Sequence, residues 1–217
     1  MAYQYNDLYK VFNDVLMSRY GIDWFEVYDK YRELGNFAGI YPDTALLLMT
    51  LVDKTPIQSV GEIGSGASTL FLRKACLKKG INITSYEEQD KYATINEKLL
   101  NVYGVGEDPI IRYTGRAFDF SDVGMVFIDS SEAQRIDILR ESKTILDVPL
   151  VVMDDFGSPD LTLAFTCFLR RCSSERPFYV FNGVGREDRH QIISWRPDVI
   201  PPVRDIINSS IPRIGVS

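Results

Sequence analysis

The sequence predicts an α/β fold built on a seven-stranded, mainly parallel sheet flanked by helices. Three observations predict it. Apolar strand segments alternate with helical segments from about residue 56 to residue 172, and such alternation produces parallel strands joined by right-handed crossovers. The last two strand segments, FYVFN and QIISW, have no helix between them, so they must pair as an antiparallel hairpin. At 217 residues with 45% hydrophobic side chains, the chain suits a single domain with a full core.

The first third reads as helical. Leu8, Val11, Phe12 and Val15 recur at helical spacing, and a weaker pattern runs from Ile22 to Tyr31. Pro42-Asp43 opens an apolar helix through Leu46, Leu47, Leu48 and Leu51, with proline in the first turn, where a missing N–H is harmless. Strand one, IQSVGEI, runs into a glycine turn at Gly64-Ser65-Gly66. The helix behind it buries Ala67, Leu70, Phe71 and Ala75 and stops at Lys78-Lys79-Gly80, a basic last turn with a glycine cap. INITSY is strand two, and its helix carries Tyr92, Ile95, Leu99 and Val102 on one face. PIIRY is strand three. VGMVFID is strand four, followed by a helix over 132–146. VPLVVMD is strand five, and the helix after it shows the stripe Leu161, Ala164, Phe165, Phe168 and Cys172. A tail bearing Pro197, Pro201, Pro202 and Pro212 is expected to be irregular. The domain thus divides into a helical cap over 1–52, an alternating core over 53–196 and the tail over 197–217.

Composition narrows the function. A net charge of −6 and a pI near 4.9 argue against a nucleic-acid binder, which needs a basic face to neutralise phosphates. Cys76, Cys167 and Cys172 form no C-x-x-C pair, and His190 is the single histidine, so a zinc centre is not expected. The first ten residues, MAYQYNDLYK, are polar, unlike a signal peptide. No stretch approaches the roughly 18 apolar residues of a membrane span. The expectation is a reduced, cytoplasmic protein whose partner is a small molecule rather than nucleic acid or membrane.

In an open parallel sheet, ligands bind beyond the carboxyl ends of the strands, where the strand order switches. Four features point to that edge. The first is the run Glu62-Ile63-Gly64-Ser65-Gly66-Ala67-Ser68-Thr69, whose glycines allow a tight turn and close approach of a ligand to helix N–H groups; such turns also occur where a strand merely packs closely on a helix. The second is Glu87-Glu88, about 20 residues beyond the glycines, where a carboxylate can accept both hydroxyls of an adenosine ribose; the alternative is solvated charge at a helix start. Glu62-x-Gly64-x-Gly66, the acidic end of strand two, Asp129 after strand four and the terminal hairpin together resemble the class I S-adenosylmethionine-dependent methyltransferases over roughly residues 40–196. The resemblance implies a three-layer, Rossmann-like fold and S-adenosylmethionine (SAM) as cofactor. It implies that Glu62, Gly64, Ser65 and Gly66 flank the methionine part, that Ser68 lies near the cofactor carboxylate with Thr69 beside it, and that Glu87 holds the ribose. The family's usual adenine contact after strand three has no counterpart in Thr114-Gly115-Arg116-Ala117. A nicotinamide-dinucleotide oxidoreductase is the rival reading, but its glycine motif needs glycine at the position of Thr69.

The third feature is Asp129 with Asp154-Asp155, at the ends of strands four and five. If those strands are neighbours, three carboxylates converge, a set suited to Mg²⁺ or another hard divalent cation. Phe127-Ile128-Asp129 and Met153-Asp154-Asp155 resemble the cation-dependent O-methyltransferases of the catechol and macrolide-sugar types, and Ala38-Gly39-Ile40-Tyr41-Pro42 resembles their cap. That resemblance implies metal-assisted methyl transfer to a hydroxyl oxygen, although the catechol-type lysine base is replaced by Glu132. The alternative is a set of carboxylates working without metal, with Asp155 as a turn residue before the Ser158-Pro159 helix start. The fourth feature is the 182–190 loop, which brings Arg186, Arg189 and His190 to the same edge. His190 then reads as a general base or as a solvated loop residue. A non-catalytic scaffold of the same fold is the remaining alternative.

Overall fold

The structure is a computed structural model that describes residues 6–36, 39–106, 108–114, 118–183 and 190–212. In chain order it contains α1 (Asn6–Tyr20), α2 (Trp24–Glu33), α3 (Pro42–Lys54), β1 (Ser59–Ile63), α4 (Ala67–Lys79), β2 (Asn82–Glu87), α5 (Asp90–Val102), β3 (Ile111–Arg112), β4 (Met125–Ile128), α6 (Glu132–Glu141), β5 (Leu150–Met153), α7 (Pro159–Arg171), β6 (Phe178–Asn182), β7 (His190–Trp195) and α8 (Val203–Ser210). The seven strands form one sheet in the order β3-β2-β1-β4-β5-β7-β6. β1 through β5 are parallel, and β7 runs antiparallel between β5 and β6. The predicted hairpin is therefore inserted with its second strand inward. Strand order reverses between β1 and β4, which puts the switch point, and so the expected ligand crevice, at their carboxyl ends.

Alternate residues of the central strands enter opposite cores. Phe127 and Val152 pack with α3, α4 and the cap, whereas Val126, Ile128, Val151 and Met153 pack with Ile138, Leu139, Leu161 and Phe165 of α6 and α7. Both faces of the sheet are covered, which is why β4 and β5 are continuous apolar runs rather than alternating ones. Polar anchors hold the segments of the cap to one another. Asn13 Oδ1 accepts from the Trp24 backbone N–H at 2.6 Å, and Trp24 Nε1 donates to the Ile40 carbonyl at 2.7 Å.

Three local expectations need correction. The helix after β4 ends at Glu141 rather than at 146, and a separate 3-10 turn follows at Thr144–Asp147. Ser142 and Thr144 turn the chain, since Ser142 Oγ accepts from the Ile145 N–H. Strand three is only two residues long, at the exposed edge of the sheet. The tail is not wholly irregular: α8 packs Val203 and Ile207 into the core, one helical turn apart. Pro202 precedes the helix and Pro212 follows it, so neither breaks an internal hydrogen bond. No helix among the described residues is long and apolar enough to cross a membrane.

Candidate active site

The carboxyl ends of β1 through β5 open into a cleft of about 390 Å³, within the size range of small-molecule sites. The glycine turn is its floor. Gly64 has φ +87°, and a Cβ there would lie 2.0 Å from the Asp129 carbonyl oxygen. Only glycine permits β1 and β4 to come this close. Gly66 is extended, and it faces the cleft with Ser65 and Ala67. Glu87, at the end of β2, reaches over to this turn. Its Oε2 accepts from the Ser65 N–H at 2.9 Å and from the Ser65 hydroxyl at 3.2 Å, while Oε1 accepts from the Gln89 N–H at 2.9 Å. Asn96 Nδ2 donates to Ser65 Oγ at 2.8 Å from α5.

Two of the expected contact residues lie beneath the turn instead of in the cleft. Glu62 is fully buried, and its Oε1 accepts from the Ser68 hydroxyl at 2.7 Å. Burial pushes its pKa up to about 7, against the pull of the nearby Ser68, Ser85 and Thr69 hydroxyls and the Arg73 charge. Thr69 is likewise buried, and its hydroxyl accepts from the Gly66 N–H at 3.1 Å. Both shape the turn from behind. Ser68 does line the cleft, but its proton goes to Glu62.

The acidic strand ends are brought together less closely than the sequence suggested. Asp129, Asp154 and Asp155 all line the cleft. Asp154, however, is buried, and its Oδ1 accepts from Gln191 Nε2 at 2.6 Å and from the Asp155 N–H at 2.9 Å. Its carbonyl accepts from Arg135. These bonds tie β5 to β7 and α6. They also hold Asp155 at φ +50°, a left-handed conformation that aspartate tolerates better than most residues. Among the described residues, no three His, Cys, Asp or Glu side chains are grouped so as to hold a metal ion.

His190 is the first residue of β7, opposite Asn182, and its carbonyl accepts from the Phe156 N–H at 2.8 Å. It is not among the described residues that line the cleft. Arg186 and Arg189, like residues 115–117 of the expected adenine segment, lie outside the described residues.

The structure adds residues that the sequence reading did not single out. Tyr113 and Gln134 line the end of the cleft beyond Glu87, and burial pushes the Tyr113 hydroxyl pKa up to about 12. Tyr31, Asn36 and Ile40 of the cap also line the cleft. Tyr113 follows strand three directly, so its position was a usable signal. Tyr31 had none, because it reads as the apolar face of an amphipathic helix.

Neither a protein-family profile nor a curated protein sequence matches the chain. Solved structures do. An O-methyltransferase from Bacillus cereus in complex with SAH, the demethylated form of SAM, superposes with a TM-score of 0.60 at 13% identity, covering 88% of this chain and 99% of that one. The O-methyltransferase TomG from Streptomyces achromogenes, involved in tomaymycin synthesis and solved with SAM, gives 0.57 at 20% identity, covering 89% and 99%. The SAH-bound methyltransferase PaMTH1 from Podospora anserina gives 0.57 at 16% identity, covering 90% and 98%. The chain therefore has the Rossmann-like fold of the class I methyltransferases.

Proposed function

We propose that this chain transfers a methyl group from SAM to a small-molecule acceptor, at a hydroxyl oxygen. The observation that carries the reading is the Glu87–Ser65 link at the head of the cleft. It places a carboxylate beside a glycine turn and a helix N-terminus, the arrangement a ribose and its attached amino acid require. Gly64 and Gly66 leave room for a ligand to lie on the backbone. Glu87 would hold the ribose hydroxyls, and Tyr113 with Gln134 would face the base. Bound here, SAM supplies a sulfonium-activated methyl group.

The protein's own work is alignment. Methyl transfer is an in-line displacement, so the wall residues must hold the acceptor oxygen opposite the methyl carbon. Asp129 and Asp155, at neighbouring strand ends, place negative charge where a cationic sulfonium and ammonium would lie and where an acceptor hydroxyl must lose its proton. The transfer is assigned to the chain without a divalent cation: Asp154 Oδ1 is bonded to Gln191 and to the Asp155 backbone, and among the described residues no three His, Cys, Asp or Glu side chains are grouped to hold a metal. His190 is not among the described residues that line the cleft, so the general base is sought among the residues that do. The dinucleotide reading loses further support from Thr69, whose buried side chain fills the place where a third glycine would let the helix pack closely on the strand.

Calorimetry with SAM and SAH tests the binding half of the reading. A screen of hydroxylated small molecules with methyl-labelled SAM tests the transfer half. Binding with no transfer to any acceptor class would support the scaffold alternative, and no binding of either ligand would overturn the proposal.

A further inference from the structure

The carboxylate of the cofactor's amino-acid end is an anion that needs donors, and the glycine turn has few to offer. The Ser68 hydroxyl donates to Glu62, the Gly66 N–H to Thr69, and the Ser65 N–H to Glu87. The turn is satisfied by its own side chains. What remains on that side is the positive end of α4, which attracts an anion but does not fix its orientation.

The cap holds a donor of the right kind against the turn. Tyr31, near the end of α2, is only 1% exposed, yet it lines the cleft, and a Cβ built on Gly66 would stand 3.8 Å from its hydroxyl oxygen. Asn36 Nδ2 donates to that oxygen at 2.7 Å. The bond occupies a lone pair and leaves the hydroxyl proton to be donated elsewhere; among the described residues no acceptor takes it. Burial, and then the charges of Glu87 and Glu62, hold the phenol well above its ordinary pKa, so it stays a donor throughout the working range.

We propose that the Tyr31 hydroxyl, oriented by Asn36, donates to the carboxylate of the methionine moiety of SAM, so that the helical cap supplies the anchor for the cofactor's amino-acid end. The proposal rests on the SAM reading above. It is consistent with the acidic surroundings of the cleft, because Asp129, which also lines it, would offset the ligand's ammonium and sulfonium charges. It also gives Asn36 a purpose: an amide donating to the phenol oxygen fixes the ring's hydroxyl and leaves its proton to be donated elsewhere.

The test compares two ligands that differ at the amino-acid end. SAH carries the carboxylate; 5′-methylthioadenosine has the same thio-nucleoside without it. In titration calorimetry, Tyr31→Phe is expected to weaken SAH by about tenfold or more, the size of a hydrogen bond to a charged group. It should leave 5′-methylthioadenosine within about twofold of the wild type. Glu87→Ala, acting at the ribose, weakens both. An unchanged SAH affinity in Tyr31→Phe overturns the proposal, and so does an equal loss on both ligands, which is the signature of a loosened cap. If Tyr31→Phe does not fold, Asn36→Ala reads the same selectivity, with equal effects on the two ligands again overturning it. Wild-type protein that binds neither ligand overturns the function itself, a result distinct from these.

Discussion

One oxygen of Glu87 accepts two hydrogen bonds from Ser65, from its backbone N–H at 2.9 Å and from its hydroxyl at 3.2 Å. The residue at the tip of β2 thereby sets the shape of the turn after β1. Glu87 holds the turn, and on the function proposed above the same carboxylate receives the ribose. On that reading, Glu87→Ala would remove the acceptor for the ribose hydroxyls and should weaken SAM binding by about 2–4 kcal/mol. Calorimetry on the two proteins measures it, and equal affinity would move the ribose site elsewhere.

Glu62 makes stability depend on pH in a direction opposite to that of most carboxylates. Its folded pKa, about 7, lies above the ordinary value of 4.5, so the folded state binds the proton more tightly than the unfolded chain. The group's contribution is complete below pH 4.5 and is lost as pH rises through 7, a change of about 3 kcal/mol. Glu62→Gln keeps the neutral shape and should flatten that slope, gaining stability over the wild type at pH 8 relative to pH 5. Urea unfolding of both proteins at the two pH values checks it; parallel slopes would show that Glu62 ionises freely.

Gly64→Ala should be among the most damaging single changes in the chain. The new Cβ would meet the Asp129 carbonyl oxygen at 2.0 Å in a left-handed backbone, so β1 and β4 must separate or the turn must rebuild. Loss of about 3 kcal/mol or more is expected, read as a fall in thermal midpoint together with loss of SAM binding. A variant with wild-type stability would mean that the turn is not held as described.

Asp154 is expected to behave as a structural anchor and not as a cation ligand. Asp154→Ala leaves the buried Gln191 amide without its acceptor and should lower stability by about 2 kcal/mol, whereas chelator should leave methyl transfer unchanged. Chelator-sensitive turnover restored by Mg²⁺, with Asp154→Ala at full stability, would reverse this assignment.

What the sequence determined on its own was the local and the periodic. The glycine cap at Gly80, the Ser158-Pro159 start of α7 and the apolar runs of β4 and β5 lie where the pattern placed them, because capping, turns and strand burial are written within a few residues. The order of strands and helices followed, and with it the edge of the sheet where Gly64, Glu87 and Asp129 meet. The direction in which a side chain faces across that edge was decided only by packing. Glu62 and Gly64 are two residues apart, yet the acid is sealed beneath the turn while the glycine forms the cleft floor, since β1 sits between β2 and β4 with both faces covered. Asp154 and Asp155 are adjacent, but one is bonded to Gln191 of β7, a strand whose insertion beside β5 no local signal announced. The Tyr31 hydroxyl reaches Gly66 because α2 folds back over the start of α4, a contact between segments more than thirty residues apart. Periodicity records that such a residue is buried; which neighbour it meets depends on the closure of the whole chain, where long-range contacts override local preference.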